Sequence, residues 1–194
     1  RERAAFEKAR TRLADMRGGL ERVRDLVTKL RTFSRLDEGE FKQADMRASI
    51  ESVLAILRHR IPPGVAVRTD YAADNLIWCY PAPLNQVVMN LVSNALDAVD
   101  GAGEVVIATR RDNDTFRITV ADTGPGLPED IRDRIFEPFF TTKPVGKGMG
   151  LGLAISYRIV QSHRGAIAVE TADGGGARFV VTIPLGLREG GSAW

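Results

Sequence analysis

Asn90 and Asn94 stand four residues apart in Asn90-Leu91-Val92-Ser93-Asn94-Ala95, a spacing that puts both carboxamides on one face of a helix. Their neighbours Val87, Val88, Leu91, Leu96 and Val99 are apolar nearly all round, so a helix here has little exposed surface on which two amides could simply rest. A second group is Asp122-Thr123-Gly124-Pro125-Gly126, which closes the strand-like run Ile118-Thr119-Val120-Ala121. A carboxylate at a strand end beside two glycines suits close backbone approach to a flat ligand, although this segment alone reads equally well as a turn. The third group is the glycine series Gly146, Gly148, Gly150 and Gly152, with Lys147 among them, running into Leu151-Gly152-Leu153-Ala154-Ile155. Successive backbone N–H groups, a helix N-terminus and a lysine favour phosphate, and a flexible linker would not open directly into an apolar helix. The spacing is neither that of a Walker loop nor G-x-G-x-x-G, which excludes ordinary P-loop and dinucleotide sites.

Between Asp122 and Gly150 regular patterning lapses for longer than the roughly 12–15 residues beyond which loops are usually functional lids or disordered. Ile135, Phe136, Phe139 and Phe140 lie within it, and such apolar residues argue for a lid that docks over a ligand.

The elements that must hold these groups follow from periodicity. Phe6, Ala9, Leu13, Met16, Leu20, Val23, Val27 and Leu30 recur in steps of three and four, the seam of a coiled coil or helical bundle. A helix over residues 4–36 would be roughly 50 Å long at ~1.5 Å per residue, too long to bury against a domain of this size, so it requires another helix; Gly18 and Gly19 weaken it. The pattern stops at Asp37, Glu38 and Gly39. A short strand over 41–44 precedes an amphipathic helix with Ile50, Val53, Leu54 and Leu57 on one face, ended by Pro62 and Pro63. Strands follow over 65–71 and 76–80, then a helix over 83–99 with Gly101 beyond it, and a hairpin of 104–110 and 115–121 joined at Asp112 and Asn113. A helix over 152–163 and strands at Ala166–Thr171 and Ala177–Pro184 complete the chain. This order predicts an α+β fold, a two-layer α/β sandwich whose mixed sheet is covered by helices, preceded by the long heptad-patterned helix. The expected divisions are a helical segment over 1–37, a compact domain over 38–188 and a loose tail over 189–194.

The chain has 194 residues, 44% of them hydrophobic and 27% charged, enough for one globular domain with an extension. Its net charge of +2 is too small, and its basic residues too evenly spread, to argue for nucleic acid. No apolar run approaches the roughly 18–20 residues that cross a bilayer, and Arg1, Glu2 and Arg3 are not followed by a signal-peptide core. A cytoplasmic location is expected, either of this chain or of the part of a larger protein that reaches the cytoplasm. The single cysteine, Cys79, follows Leu76, Ile77 and Trp78 and reads as a buried small hydrophobe in a reducing compartment.

In order along the chain stand NLVSNALDA, DTGPGLP, IFEPFFTTK and GKGMGLGLAIS. Together they resemble the N box, first glycine box, F box and second glycine box of the catalytic domain of sensor histidine kinases, within the GHKL ATPase superfamily. The likeness covers about residues 45–185. The heptad helix, ending in LRTFSRLDEG, is similar to the second helix of the kinase dimerisation and histidine phosphotransfer domain.

The resemblance implies ATP and Mg²⁺ as cofactors. It implies that Asn94 gives a side-chain oxygen to the metal, a hard cation that keeps several waters and needs few protein ligands. Asp122 corresponds to the carboxylate that accepts a hydrogen bond from the adenine amine; guanine, with a carbonyl there, would leave two acceptors facing each other. Gly124 and Gly126 admit the base, and Gly148, Gly150 and Leu151 offer N–H groups to the phosphates. Lys143 and Lys147 are candidate counter-charges, and Asp97, Phe140 and Gly152 complete the implied nucleotide site. Asn90 stands where relatives that hydrolyse ATP carry a glutamate that activates water; an amide cannot take that proton. With Asn90, Asn94 and Lys143 as the catalytic set, the expected reaction is in-line transfer of the γ-phosphoryl to a histidine, by positioning and charge neutralisation. A neutral imidazole, with an unperturbed pKa of ~6.5, needs no strong base.

The acceptor histidine itself is not evident. His59, in Leu57-Arg58-His59-Arg60, and His163, in Ser162-His163-Arg164-Gly165, both lack the family's acceptor motif. The motif lies on the helix before the one resembled here, so the chain is expected to be an incomplete kinase or to act on an acceptor in another chain. Ala177 stands where many relatives have threonine near the adenine, which puts affinity in question rather than binding. The implied partners are a response-regulator receiver domain, a histidine phosphotransfer helix in cis or in trans, and a second copy of the chain through the N-terminal helix. Competing readings are an ATPase of the same superfamily and a nucleotide-gated interaction module.

Overall fold

The computed structural model describes residues 6, 7, 10, 12, 13, 16–20, 24, 27, 40–99, 101–144 and 148–186. Of the heptad pattern, Phe6, Leu13, Met16, Leu20 and Val27 are described; they are helical and exposed. Ala9, Val23 and Leu30 of that pattern, most of the remaining 1–37 division, Gly146, Lys147 and the 189–194 tail lie outside the described residues.

Strand β1 (Lys42–Asp45) leads directly into helix α1 (Met46–Leu57), whose N-cap Asp45 accepts from the Arg47 and Ala48 N–H groups at 2.8 and 3.4 Å. That cap satisfies donors that the first helical turn leaves free. Met46, Ile50, Val53 and Leu57 are buried along one face, while Leu54 lies at its margin. The helix stops at Leu57, short of the prolines, and the chain tightens into a 3-10 turn, Arg58–Arg60.

Strands β2 (Gly64–Asp70) and β3 (Leu76–Cys79) follow. β3 pairs antiparallel with β1 in a small two-stranded sheet, and Cys79 is wholly buried. Helix α2 (Pro81–Ala98) starts two residues earlier than the sequence pattern suggests, with a proline in its first turn, where the missing N–H costs nothing. Leu84, Val87, Val88, Leu91, Val92, Ala95 and Leu96 are all buried, so α2 is the central helix of the helical layer, packed against α1, the strand layer and the last helix.

Strands β4 (Ala102–Arg111) and β5 (Thr115–Asp122) form the expected hairpin; helix α3 (Gly152–Ser162) and strands β6 (Ala166–Thr171) and β7 (Ala177–Pro184) end the domain. The main sheet has the order β2-β4-β5-β7-β6, with β2 and β4 parallel and the other pairs antiparallel. It is therefore the mixed sheet of an α+β sandwich. Period-two alternation sets its inward face: Phe116, Ile118 and Val120 on β5, and Ala177, Phe179, Val181 and Ile183 on β7, are buried. Asp122 is next in the β5 series, so strand parity alone turns its carboxylate inward.

His163, just past α3, is a structural residue. It is 1% exposed; Nδ1 meets the Ile159 carbonyl at 2.7 Å, while Nε2 accepts the Tyr80 N–H at 3.0 Å. Both nitrogens of a neutral ring are thereby satisfied, and burial lowers its pKa. His59 is exposed, with Nδ1 at 2.9 Å from the Ile56 carbonyl.

Candidate nucleotide-binding site

A cavity of about 520 Å³ opens between the polar stripe of α2, the end of β5, the loop that follows it and the N-terminus of α3. Of the residues singled out by sequence, Asn90, Asn94, Asp97, Asp122, Gly126, Phe140, Lys143, Gly148, Gly150, Leu151 and Gly152 line it. Gly124 does not; it stands behind Asp122 and holds it.

At the inner end Asp122 is 4% exposed, and its Oδ1 accepts from the Gly124 N–H at 2.9 Å and the Ala177 N–H at 3.3 Å. Burial raises its pKa, and these two backbone hydrogen bonds oppose the rise. With Oδ1 committed to the scaffold, Oδ2 is the acceptor left for a ligand. The glycines around it answer to crowding. A Cβ on Gly124 would lie 2.8 Å from the Ala98 carbonyl oxygen, and one on Gly176 only 1.8 Å from the Asp122 backbone oxygen. Gly126 has φ of 74° and a Cβ there would meet the Gly175 oxygen at 2.5 Å. The turn between β6 and β7 is thus part of this wall. Sequence reasoning missed it, though the run Gly174-Gly175-Gly176 was the available signal.

At the other end, α3 begins at Gly152, and its N-cap Leu151 makes no side-chain capping bond, so the first N–H groups stay available for an anion. Gly150 has φ of 65° and its carbonyl accepts from the Phe139 N–H at 2.9 Å, tying the loop to the helix start. A Cβ at Gly150 would fall 2.3 Å from the Phe139 backbone carbon, whereas one at Gly152 would make ordinary contact with Asn90 at 3.7 Å. Gly150→Ala is therefore expected to weaken ATP binding by roughly five- to a hundredfold, from backbone strain of about 1–3 kcal/mol, and Gly152→Ala to change it less than threefold. Calorimetric titration of both variants with ATP checks the contrast; equal affinities would remove the assigned role of the Gly150 turn.

Between these ends lies a cluster of charge. Lys143 Nζ donates to Asp97 Oδ2 at 2.7 Å and to Asn94 Oδ1 at 3.2 Å. Arg60, which sequence reasoning did not single out, donates to Asp97 Oδ1 at 2.8 Å and to Ser93 Oγ at 2.7 Å. Asp97 is thus flanked by two cations, and the mouth keeps a net positive charge suited to a polyphosphate. Arg134 lies 4.7 Å from the centre of the Phe140 ring. Among the described residues no cluster of three or more His, Cys, Asp or Glu could hold a metal ion. The hard oxygen donors present, Asn94 Oδ1 and Asp97 Oδ2, both face the ammonium of Lys143, a cation already in that position. This donor set fits magnesium bound mainly through phosphate and water. No helix among the described residues is long and apolar enough to cross a membrane.

Residues 79–187 match the family of histidine kinase-, DNA gyrase B- and HSP90-like ATPases, and the chain belongs to that family. It is 33% identical over 172 residues to the signal transduction histidine-protein kinase AtoS of Escherichia coli, covering 86% of this chain and 28% of AtoS. It is 32% identical over 168 residues to sporulation kinase A of Bacillus subtilis, covering 85% of this chain and 27% of that protein. The chain therefore spans little more than a quarter of these curated relatives. Among solved structures, the catalytic domain of histidine kinase ThkA superposes with a TM-score of 0.69 at 30% identity, over 75% of this chain and 98% of ThkA's. Full-length ShkA in complex with AMPPNP superposes with a TM-score of 0.78 at 29% identity, over 90% of this chain and 38% of ShkA. ThkA in complex with the response regulator TrrA gives 0.71 at 26% identity, over 86% of this chain and 49% of that one. The fold is that of a histidine-kinase catalytic domain, as the motifs implied.

Proposed function

We propose that this domain binds Mg-ATP in the cavity beside α2 and transfers its γ-phosphoryl to a histidine on a dimerisation and phosphotransfer domain, in cis or in trans. The phosphoryl group then passes to the receiver domain of a response regulator. One observation carries the reading: a buried carboxylate with one free oxygen, an uncapped helix N-terminus and a positively charged mouth share a single cavity. They match the base, the phosphates and the metal-bearing end of one nucleotide.

In this reading Asp122 accepts the adenine amine, with Gly124 bracing it and Gly126 admitting the base. The N–H groups of Gly148, Gly150, Leu151 and Gly152 meet the phosphates, with Lys143 and Lys147 as counter-charges. Phe140 closes the lid side, and Asp97 orders the two cations beside it. Asn94 would hold the magnesium ion, which would supply charge neutralisation at the phosphates. Asn90 is an amide and takes no proton from water, which favours transfer to an imidazole over hydrolysis.

The exposed Phe6, Leu13, Met16, Leu20 and Val27 support the division at residue 37 and a homodimer through the N-terminal helix, since such a stripe requires a partner. ThkA's recorded complex with TrrA supports a response-regulator partner. ATP as phosphoryl donor supports a cytoplasmic location. No feature of the site favours nucleic acid.

The test mixes the chain with a histidine-containing phosphotransfer domain and γ-labelled ATP. Label on the added domain, with none stable on this chain, is expected. Steady phosphate release without labelled histidine would replace the kinase reading with an ATPase; binding with neither would leave a nucleotide-gated interaction module.

A further inference from the structure

Gln86, Asn90 and Asn94 lie at steps of four along α2, one stripe facing the cavity side of α3. Their hydrogen bonds run in one sense only. The Gly152 carbonyl can only accept, so the group 2.9 Å from it must be the Asn90 amide nitrogen, Nδ2. That nitrogen also donates to Ser156 Oγ at 3.2 Å, and Ser156, fully buried, donates to the same Gly152 carbonyl at 3.0 Å. Asn90 Oδ1 is left to accept, and Gln86 Nε2 donates to it at 3.0 Å. Asn90 is thus engaged at both ends by the scaffold, although it lines the cavity. Gln86 fixes its orientation, and Ser156 and Gly152 receive it.

We propose that Gln86 and Ser156 are positioning residues for the triphosphate. Through the Asn90 amide they fix the first turn of α3 against α2, holding its free N–H groups in register with Asn94, one turn further along the same stripe. α3 has no side-chain cap of its own, and this tether, together with the Phe139 N–H on the Gly150 carbonyl, orients its start. A carboxylate at position 90 would set an acceptor against the Gly152 carbonyl, so the scaffold of this chain favours an amide here. This inference rests on the reading that the cavity binds ATP.

The test titrates the whole chain and its Gln86→Leu, Gln86→Lys and Ser156→Ala variants with Mg-ATP and with adenosine. Each lost hydrogen bond is expected to weaken Mg-ATP binding about tenfold while leaving adenosine affinity unchanged, because only the phosphate end moves. Gln86→Lys keeps a donor toward Asn90 Oδ1 and is expected to stay within about threefold of the parent chain. Unchanged Mg-ATP affinity in both Gln86→Leu and Ser156→Ala would overturn the proposal, as would equal losses for ATP and adenosine or a Gln86→Lys variant no better than Gln86→Leu. A parent chain that bound neither ligand would instead overturn the nucleotide reading beneath it.

Discussion

Replacing Asp122 with asparagine is expected to weaken ATP binding by a factor of about 10²–10³ without lowering the melting temperature of the nucleotide-free protein. Asp122 Oδ1 already accepts from the Gly124 and Ala177 N–H groups, and the asparagine oxygen can take over both. The amide nitrogen then stands where Oδ2 was, a donor facing the donor amine of adenine. Losing a hydrogen bond to a charged group and leaving a buried donor unpaired costs about 3–4 kcal/mol together, which is the stated factor at ~1.4 kcal/mol per tenfold. Guanine presents an acceptor at that point, so the ratio of GTP to ATP affinity should rise. The stability effect has the opposite sign. Burial raises the Asp122 pKa, so this group's contribution to stability is present below the ordinary carboxyl value and lost as pH rises through the raised folded value. Once ionised, the carboxylate is carried by the fold at a desolvation cost that asparagine removes. ATP affinity of the parent chain should likewise fall as the pH is lowered through that raised value, a dependence absent from Asp122→Asn. Calorimetric titration and thermal melting measure both halves; undiminished ATP affinity in the variant would remove the adenine assignment.

The sequence marked this carboxylate by its place at a strand end beside two glycines, and strand parity, which is local, turns it inward. Ile118, Val120 and Asp122 share a face whatever the rest of the fold does. β6 and β7 fall on the expected residues for the same reason, and α2 was legible as a buried helix because apolar residues surround its two asparagines. Features set by distant contacts were not. Arg60 reaches Ser93 and Asp97 across 33 and 37 residues of chain, and no local pattern marks that route. α1 stops at Leu57 rather than at the prolines because the chain turns through Arg58–Arg60, which places the Arg60 side chain at the cavity. Gly176 carries no local mark of its role, whose reason is the 1.8 Å at which a Cβ would meet the Asp122 oxygen. Asn90 shows the limit most clearly. Its type and spacing marked it as a site residue, but only in the folded chain are both ends of its amide held, by Gln86, Ser156 and Gly152.

Asn94→Ala should abolish most phosphoryl transfer to a supplied histidine domain, by a factor of about 10²–10³, the scale of removing one group that stabilises transferring charge. Its binding phenotype should depend on the metal. In the structure the Asn94 oxygen is met by Lys143 Nζ, which also pairs with Asp97. Lys143 and Asp97 are each more than a third exposed at the side chain, and such ion pairs contribute only ~0–1 kcal/mol. The ammonium can therefore leave Asn94 for the phosphates at small expense, while Arg60 keeps Asp97 in place. Alanine at 94 removes the oxygen but none of the contacts to base or phosphate. ATP affinity measured with a chelator present should match that of the parent chain, and the gain in affinity on adding magnesium should shrink. Equal magnesium-dependent gains in the two proteins would exclude Asn94 as the metal's protein ligand. A matching loss of affinity in chelator would make it a direct nucleotide contact, acting beside the mouth cluster of Arg60, Asp97 and Lys143 on the phosphates.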